Sequence, residues 1–549
     1  MSLREEIASL IKGDVADDAE TLKRFSRDTS VFERRPALVI SPKDADDVAK
    51  IISYASSEKK KGANIAIAAR SAGTDMTGGP LTDSLVLSFT KHLNKVHEVG
   101  SDYVVAEPGV YYRDLEKQTL GKAGTLIPSY PASREICALG GMIANNSGGE
   151  LTLHYGKTER YVEELDVVLA DGSKTTFKPL TQTELAKKEA EKTFEGEIYR
   201  KIHDLIMDNR GAIEAARPNV SKNSAGYALW DVWNEEKGTF DLTKLIVGSQ
   251  GTLGIVTKAR LKTVKLKPHR AMLVVFLSEI SHLPEVVKRI LKCDPESFES
   301  YDEHTFSFAV RFMPQMLKQM GLWQAIKLGF AFLPEVGMVL TGGVPKFLLM
   351  AEFAEDTKEA AQDRVREARH TIDNLPVHTK LIFSNLGREK YWKVRRESFN
   401  LLRKSLPGLS AAPFIDDLVV KPETYPEFLP ELNELLSHYK FTFTVAGHIG
   451  NGNFHILPLM DLTSEESHRV ILELTPKVYD LVAKYKGSTT GEHNDGIIRT
   501  PYLNTMFSHE VLALFAEVKK IFDPLNILNP GKKVGGTEAD IAKYMITKK

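Results

Sequence analysis

Residues 70–79 read RSAGTDMTGG and follow the apolar run NIAIAA at 64–69. Small residues, three of them glycines, stand where a strand gives out. Such a stretch turns tightly and aims successive backbone N–H groups at an anion. No Gly-Lys-Ser/Thr closes it, so it is not a nucleoside-triphosphate loop, and its spacing is not GxGxxG. Read alone, it is equally a plain glycine turn. Upstream, ALVIS at 37–41 predicts a strand and residues 44 to about 57 a helix, so the loop sits at the end of a strand–helix–strand unit.

Two more segments of the same kind follow, PASREICALGGMIANNSGGE at 131–150 and LIVGSQGTLGIVT at 245–257. Gly251 and Gly254 join what reads as strand to strand. The helix N-terminus on which a Rossmann site seats its pyrophosphate is then missing, which argues against NAD. The β-branched runs SLVLSF, DYVVAE, EELDVVLAD and KLIVGS, separated by Gly, Asp and Pro turns, predict a mixed α+β domain to about residue 265. Charged stretches near 191–197 and 237–240 read as solvated loops. From Arg270 a second pattern starts: strand AMLVVFL, helix LPEVVKRILK, strand KFLLMAEF, a helix over 357–374, strand LVVKP and helix YPEFLPELNELLSHY. It predicts β-α-β units over one sheet in a separate substrate domain. The expected divisions are 1–265, 266–490 and a returning C-terminal segment, 491–549.

A chain of 549 residues is long for one core, and 42% hydrophobic with 26% charged residues is the mixture of a soluble globular protein. A net charge of -1 supplies no general field for nucleic acid or an acidic membrane. Cys137 and Cys293 lack the spacing of a zinc or iron–sulfur site and fit a reducing, cytoplasmic setting. The N-terminus, MSLREEIASLIKG, has helically spaced apolar residues rather than a secretory signal's continuous run. Residues 328–345, LGFAFLPEVGMVLTGGVP, contain Pro334, Glu335, Gly342 and Gly343 and are short for a membrane span. They predict a buried or interfacial helical hairpin, with peripheral membrane or partner docking as the alternative.

His448 and His455 lie in AGHIGNGNFHILP, seven residues apart, and would face opposite sides of one straight strand. Gly450-Asn451-Gly452 allows a turn or bulge that brings both imidazoles to one side. Glu492 and His493 follow in TGEHNDG. Two imidazoles and a carboxylate suit a divalent metal such as zinc or manganese with open positions, although any one histidine taken singly reads first as a loop cap or hydrogen-bonder. The spacing is not that of an HExxH helix. In EKYWKVRRESF, Arg395 and Arg396 point about 100° apart on a helix, so one of them can offer a carboxylate its bidentate fork. A solvated helix face is the plain alternative. Arg499, in GIIRTPYL, is a further candidate for contact with substrate or cofactor.

Taken in order, RSAGTDMTGG, EPGV, PASREICALGGMIANNSGGE, HYGKTERYVEELDVVLADG, VGSQGTLGIVT, GHIGNGNFH, GEHNDG and FDPLNILNPGKK resemble the FAD-linked oxidase family of the vanillyl-alcohol oxidase type, in particular its D-lactate, glycolate and D-2-hydroxyglutarate dehydrogenase branch. The resemblance runs from about residue 35 to 533. It implies a two-part FAD-binding domain and an α+β cap over an antiparallel-rich sheet. For the pyrophosphate it implies Arg70, Ser71, Ala72, Gly73, Thr74, Thr77 and Gly78. Along the rest of the cofactor it implies Pro131, Gly140, Gly141, Asn145, Ser147, Gly148, Gly149, Gly251, Gly254, Ile255 and Asn529. No histidine or cysteine stands in the 70–79 loop, so non-covalent FAD is implied. It further implies His448, His455 and Glu492 as metal ligands, His493 as catalytic base beside the flavin, and Arg395, in Trp392-x-x-Arg395, for the substrate carboxylate.

The implied activity is oxidation of a small D-2-hydroxy acid to the 2-oxo acid, with hydride passing to the flavin. Three rivals are an alkylglycerone-phosphate synthase, which carries a run of histidines where this chain has GEHNDG; a non-catalytic flavin relay subunit; and an aromatic-alcohol oxidase. Three departures stand out: Asn494-Asp495-Gly496 for the family's Gly-Ile-Gly, Leu457 where hydroxyglutarate enzymes have asparagine, and Gln250 for a glutamate. The second argues against a larger dicarboxylate. No cysteine cluster follows NPGKK, so a separate electron acceptor is expected: a quinone, an iron–sulfur protein or an electron-transfer flavoprotein.

Overall fold

The computed structural model describes residues 2–303, 344–405 and 408–547, so the apolar stretch 328–345 lies almost wholly outside the described residues. Asp44 caps the helix Ala45–Lys60 by accepting from the Asp47 N–H. The helix buries Val48, Ile51, Ile52 and Ala55, a stripe at helical spacing. It packs on a four-stranded sheet ordered Asp14–Ala16, Leu38–Ser41, Leu85–Ser88, Ile67–Arg70, whose last three strands are parallel. The glycine-rich loop starts at the C-terminal end of Ile67–Arg70, the end at which parallel sheets hold ligands.

A five-stranded antiparallel sheet follows, ordered Val96–Val99, Tyr103–Ala106, Ile255–Lys262, Val162–Val168, Lys174–Phe177. Two local expectations fail here. Within KLIVGS, residues Thr243–Ile246 form one helical turn, because Gly248, Gln250 and Gly251 all adopt positive φ and close the backbone into a loop. The stretch near 191–197 is no solvated loop: Thr193 caps the helix Phe194–Asp208, which buries Ile198, Tyr199, Ile202, Leu205 and Ile206. Its charges occupy the outer face and hid the apolar stripe.

The third sheet has eight strands. Its path runs His378–Ile382, His269–Leu277, Phe347–Glu355, Ser297–Asp302, Thr442–His448, Asn453–Met460, Ser410–Ala411, with Leu418–Val419 also paired to Asn453–Met460. Every pairing is antiparallel, not the β-α-β arrangement expected from strand–helix alternation. Leu273, Val275 and Leu277 join one core with the helices Leu283–Leu291, Lys358–His370 and Tyr425–Ser437. Met272, Val274 and Phe276 face Tyr391, Trp392 and Val394 of the helix Asn385–Ser405. Both faces are covered, which is why these antiparallel strands read as unbroken apolar runs.

The C-terminal segment returns to both earlier sheets. Helix His509–Phe522 packs in the core of the five-stranded sheet. Residues 527–529 extend the first sheet, with Ile67 N–H donating to the Ile527 carbonyl and Asn529 N–H to the Ile67 carbonyl, both 2.7 Å. Among the described residues no helix is long and apolar enough to cross a membrane.

Candidate active site

A cavity of about 1050 Å³ runs from the 70–79 loop to the histidine hairpin. At one end, residues 72–76 line it, and none of their backbone N–H groups donates to another described residue. The next three are taken: Thr77 N–H (2.9 Å) and Gly79 N–H (2.8 Å) donate to Asp75 Oδ2, and Gly78 N–H to Asp28 Oδ2 (3.0 Å). The rear half of the loop is thus tied to Asp75 and Asp28 and the front row is left for an anion, a donor set that fits the FAD pyrophosphate. Gly140 must be small, because a β-carbon there would lie 2.6 Å from Pro108 Cβ. Asp28 carries the strain: burial first, then the charge of Asp75, pushes its carboxyl up to about 7.

At the other end, the turn at Ile449–Asn451 and Gly452 (φ 69°) folds strands Thr442–His448 and Asn453–Met460 into a hairpin. His448 pairs with Asn453 and Ala446 with His455, so both imidazoles occupy one face, as the glycine interruption predicts. Their ring centres are 5.2 Å apart. Glu299 Oε1 lies 2.7 Å from His448 Nδ1 and Asp416 Oδ1 3.1 Å from His455 Nδ1. Each Nε2 therefore turns to Glu492 Oε1, at 3.1 Å and 3.6 Å. Carboxylate behind, imidazole between and Nε2 turned toward a shared carboxylate in front is the arrangement of histidine ligands to a dication, and these donors fit one. His448, His455 and Glu492 offer ligand atoms within 4.8 Å of one another.

His493 stands beside this group, its Nδ1 2.8 Å from Asp416 Oδ2 and its ring stacked 5.1 Å from that of His455. Burial lowers its basicity, but Asp417 and Asp416 outweigh that and push it up to about 9. Burial raises the Glu492 carboxyl, and Lys222 and His448 more than reverse this, holding it well below the usual range. Arg395 enters from the helix Asn385–Ser405, 3.4 Å from Glu299 Oε2, and faces the cavity. Arg396 lines it too but pairs with Glu150.

Residues 36–178 match the FAD binding domain model and residues 266–533 the model of the C-terminal domain of FAD linked oxidases. The chain belongs to the FAD-linked oxidases. It is 28% identical over 535 residues to a D-2-hydroxyglutarate dehydrogenase of Escherichia coli, covering 95% of this chain and 50% of that relative, so it spans about half the relative's length. It is 26% identical to a D-lactate dehydrogenase of Archaeoglobus fulgidus over 97% of this chain and 99% of the relative, and 26% identical to the glycolate oxidase subunit GlcD of Bacillus subtilis over 92% and 90%. In fold it is similar to 4-ethylphenol oxidase from Gulosibacter chungangensis, solved with isoeugenol (TM-score 0.69, 16% identity, 98% and 97% of the two chains). It also resembles an alkyldihydroxyacetonephosphate synthase (TM-score 0.63, 16% identity, 94% and 82%). The two-domain FAD-oxidase fold of mixed helices and antiparallel sheets is thereby established.

Of the residues that resemblance assigns to FAD, Arg70, Ser71, Ala72, Gly73, Thr74, Pro131, Gly140, Gly141, Asn145, Ser147, Gly251 and Gly254 line the cavity. Thr77, Gly78, Gly148, Gly149, Ile255 and Asn529 are not among its lining. A β-carbon on Gly149 would lie 2.1 Å from the Tyr130 carbonyl oxygen, and Asn529 Nδ2 ties the carbonyls of Gly79 (2.9 Å) and Gln250 (2.7 Å). Arg70 spends its guanidinium on the carbonyls of Phe25 and Arg27. Arg499, a candidate for substrate or flavin contact, instead donates to the carbonyls of Thr489, Asn494 and Asp416 away from the cavity. Gln250 gains a reading: Oε1 accepts from Gly496 N–H (2.9 Å) while Nε2 donates to Asn145 Oδ1 (3.3 Å), and a carboxylate could make only the first bond. Asp495, in the Asn-Asp-Gly departure, forms a buried pair with Lys533 at 2.9 Å.

Lys222, Glu299, Asp416 and Asp417 were missed. Asp417 Oδ2 accepts from the N–H groups of Glu492 (2.8 Å) and His493 (2.7 Å) and so shapes their turn. An acid pair inside the apolar run FIDDLVV was the one available signal, since ionised groups are rarely buried without partners. Glu299 in SFESYD and Lys222 in VSKNSAG look like ordinary surface charges.

Proposed function

We propose that this chain oxidises a small, D-lactate-like D-2-hydroxy acid to its 2-oxo acid, with non-covalent FAD and a divalent metal such as zinc or manganese. The supporting observation is a single cavity that joins the free N–H row at residues 72–76 to His448, His455 and Glu492. When bound, FAD supplies a two-electron acceptor for the hydride on C2 and the metal supplies positive charge that acidifies the hydroxyl.

The chain supplies geometry and proton handling. Arg395 holds the carboxylate in a two-pronged grip. His493 takes the hydroxyl proton on Nε2, the nitrogen turned away from Asp416. Asp417 and Asp416 favour the protonated imidazole, and a dication held by His448, His455 and Glu492 would supply the positive charge that favours the neutral, proton-accepting form. Trp392 Nε1–H, tied to Glu352 at 3.2 Å, fixes the helix face from which Arg395 projects. Electrons leave to a separate acceptor, with quinone, iron–sulfur protein and electron-transfer flavoprotein as the candidate classes.

The test is anaerobic mixing of the FAD- and metal-loaded protein with D- and L-2-hydroxy acids while flavin absorbance is followed. Bleaching by a D-acid and not by its enantiomer is expected. If dithionite bleaches the flavin and no D-2-hydroxy acid does, the chain is an electron relay and the reading falls.

A further inference from the structure

Residues 221–226, SKNSAG, touch the histidine hairpin and the turn that carries Glu492 and His493 without lining the cavity. Ser221 Oγ donates to the Asn451 carbonyl in the histidine hairpin (2.5 Å). Ser488 Oγ donates to Asn223 Oδ1 (2.7 Å), Ser224 N–H to the Thr490 carbonyl (3.0 Å), and Gly226 N–H to Asp495 Oδ2 (2.9 Å). The strand of contacts runs alongside the turn that carries Glu492 and His493. Lys222 sits in its middle with its side chain wholly buried, Nζ 2.8 Å from Glu492 Oε2 and 3.3 Å from Asn453 Oδ1.

Glu492 thus divides its two oxygens. Oε1 faces both histidine Nε2 atoms, and Oε2 faces an ammonium that cannot swing into solvent. A carboxylate binds a dication through one oxygen or through both, and the second mode fills a position that a substrate would otherwise use. A charge-assisted hydrogen bond from a buried donor holds the second oxygen away from the metal. Lys222 does not line the cavity, and its shortest contact toward the site is with Glu492.

We propose that Lys222 is a positioning residue: the SKNSAG strap uses it to hold Glu492 to one-oxygen ligation, which keeps metal positions open for the hydroxyl and carboxylate oxygens of the substrate. This rests on the metal set proposed above.

The experiment uses oxalate, a redox-inert anion with two adjacent carboxylates, titrated into the FAD- and zinc-loaded protein while flavin absorbance is followed. Zinc content is measured on the same samples. For Lys222→Met the expected result is one zinc per chain, full FAD and oxalate binding weakened at least tenfold. Lys222→Arg, which restores a charged donor, should recover most of that loss. Unchanged oxalate binding with zinc retained overturns the proposal. Loss of zinc with FAD retained also overturns it, since Lys222 would then be needed for metal retention itself. If Lys222→Met does not fold, Lys222→Gln replaces it: three- to tenfold weaker oxalate binding with zinc retained supports the proposal and unchanged binding sinks it. Wild-type protein that takes up no zinc refutes the parent metal reading instead.

Discussion

The loop at 70–79 and the cluster around Glu492 line one cavity but are made of different material. The loop presents backbone N–H groups from one short stretch, while Arg70 bonds the carbonyls of Phe25 and Arg27, Ser71 that of Pro108, and Asp75 the loop's own N–H groups. The cluster gathers side chains from residues 222, 299, 395, 416–417, 448–455 and 492–493, each held by a partner from another segment. A backbone cradle tolerates side-chain change while its turns persist. A side-chain cluster fails one partner at a time.

The largest effect that separates the two concerns the buried pair Lys533–Asp495, both side chains fully enclosed. Lys533→Met takes away the ammonium that faces Asp495, leaving the buried carboxylate with the Gly226 N–H, and should cost ~3–5 kcal/mol in denaturant unfolding. A loss below about 1 kcal/mol would mean that the turn is held by its backbone, like the loop, and the contrast would blur. Next, His493→Ala should keep FAD and slow anaerobic flavin reduction by ~10² or more, the scale of a general base. Reduction at the wild-type rate with metal retained would move the proton to another acceptor.

A smaller loss is expected from Glu299→Gln, which weakens the hydrogen bond behind His448. Metal titration should show ~10–100-fold weaker binding with unchanged FAD content. If FAD falls instead, cradle and cluster are one cooperative unit. Thr74→Ala should do least, because its side chain has no hydrogen-bond partner among the described residues. Stability should stay within about 0.5 kcal/mol and FAD should remain bound. Loss of FAD from this variant would show that side chains, too, build the cradle.

The same contrast explains what could be read from sequence. A backbone site leaves its mark in consecutive residues, and RSAGTDMTGG carries its glycines at the positions the turns need, with Gly73 and Gly78 at positive φ. The hairpin of His448 and His455 was legible because Gly450-Asn451-Gly452 lies between them. Lys222 and Glu299 were not, since each is ordinary in its own segment and becomes functional only when topology buries it beside a partner more than a hundred residues away. The resemblance implied an antiparallel-rich sheet and the pairing bears that out, whereas strand–helix alternation read alone pointed to β-α-β units, for a related reason. Alternation of strands and helices does not say whether neighbouring strands run the same way, and the eight-stranded sheet chose the antiparallel solution while burying both faces.

Asn529 binds the carbonyl of Gly79 across a separation of 450 residues, and the Ile67 backbone closes on residues 527 and 529. At ~5–20 residues per second of synthesis, the cradle must wait roughly 20–90 s after its first loop leaves the ribosome before its last strand arrives. During that interval the first sheet has an open edge and the 70–79 loop lacks its clasp. The cradle is therefore complete only once residues 527–529 have been made, and a chain that stalls before residue 529 would keep that sheet edge open.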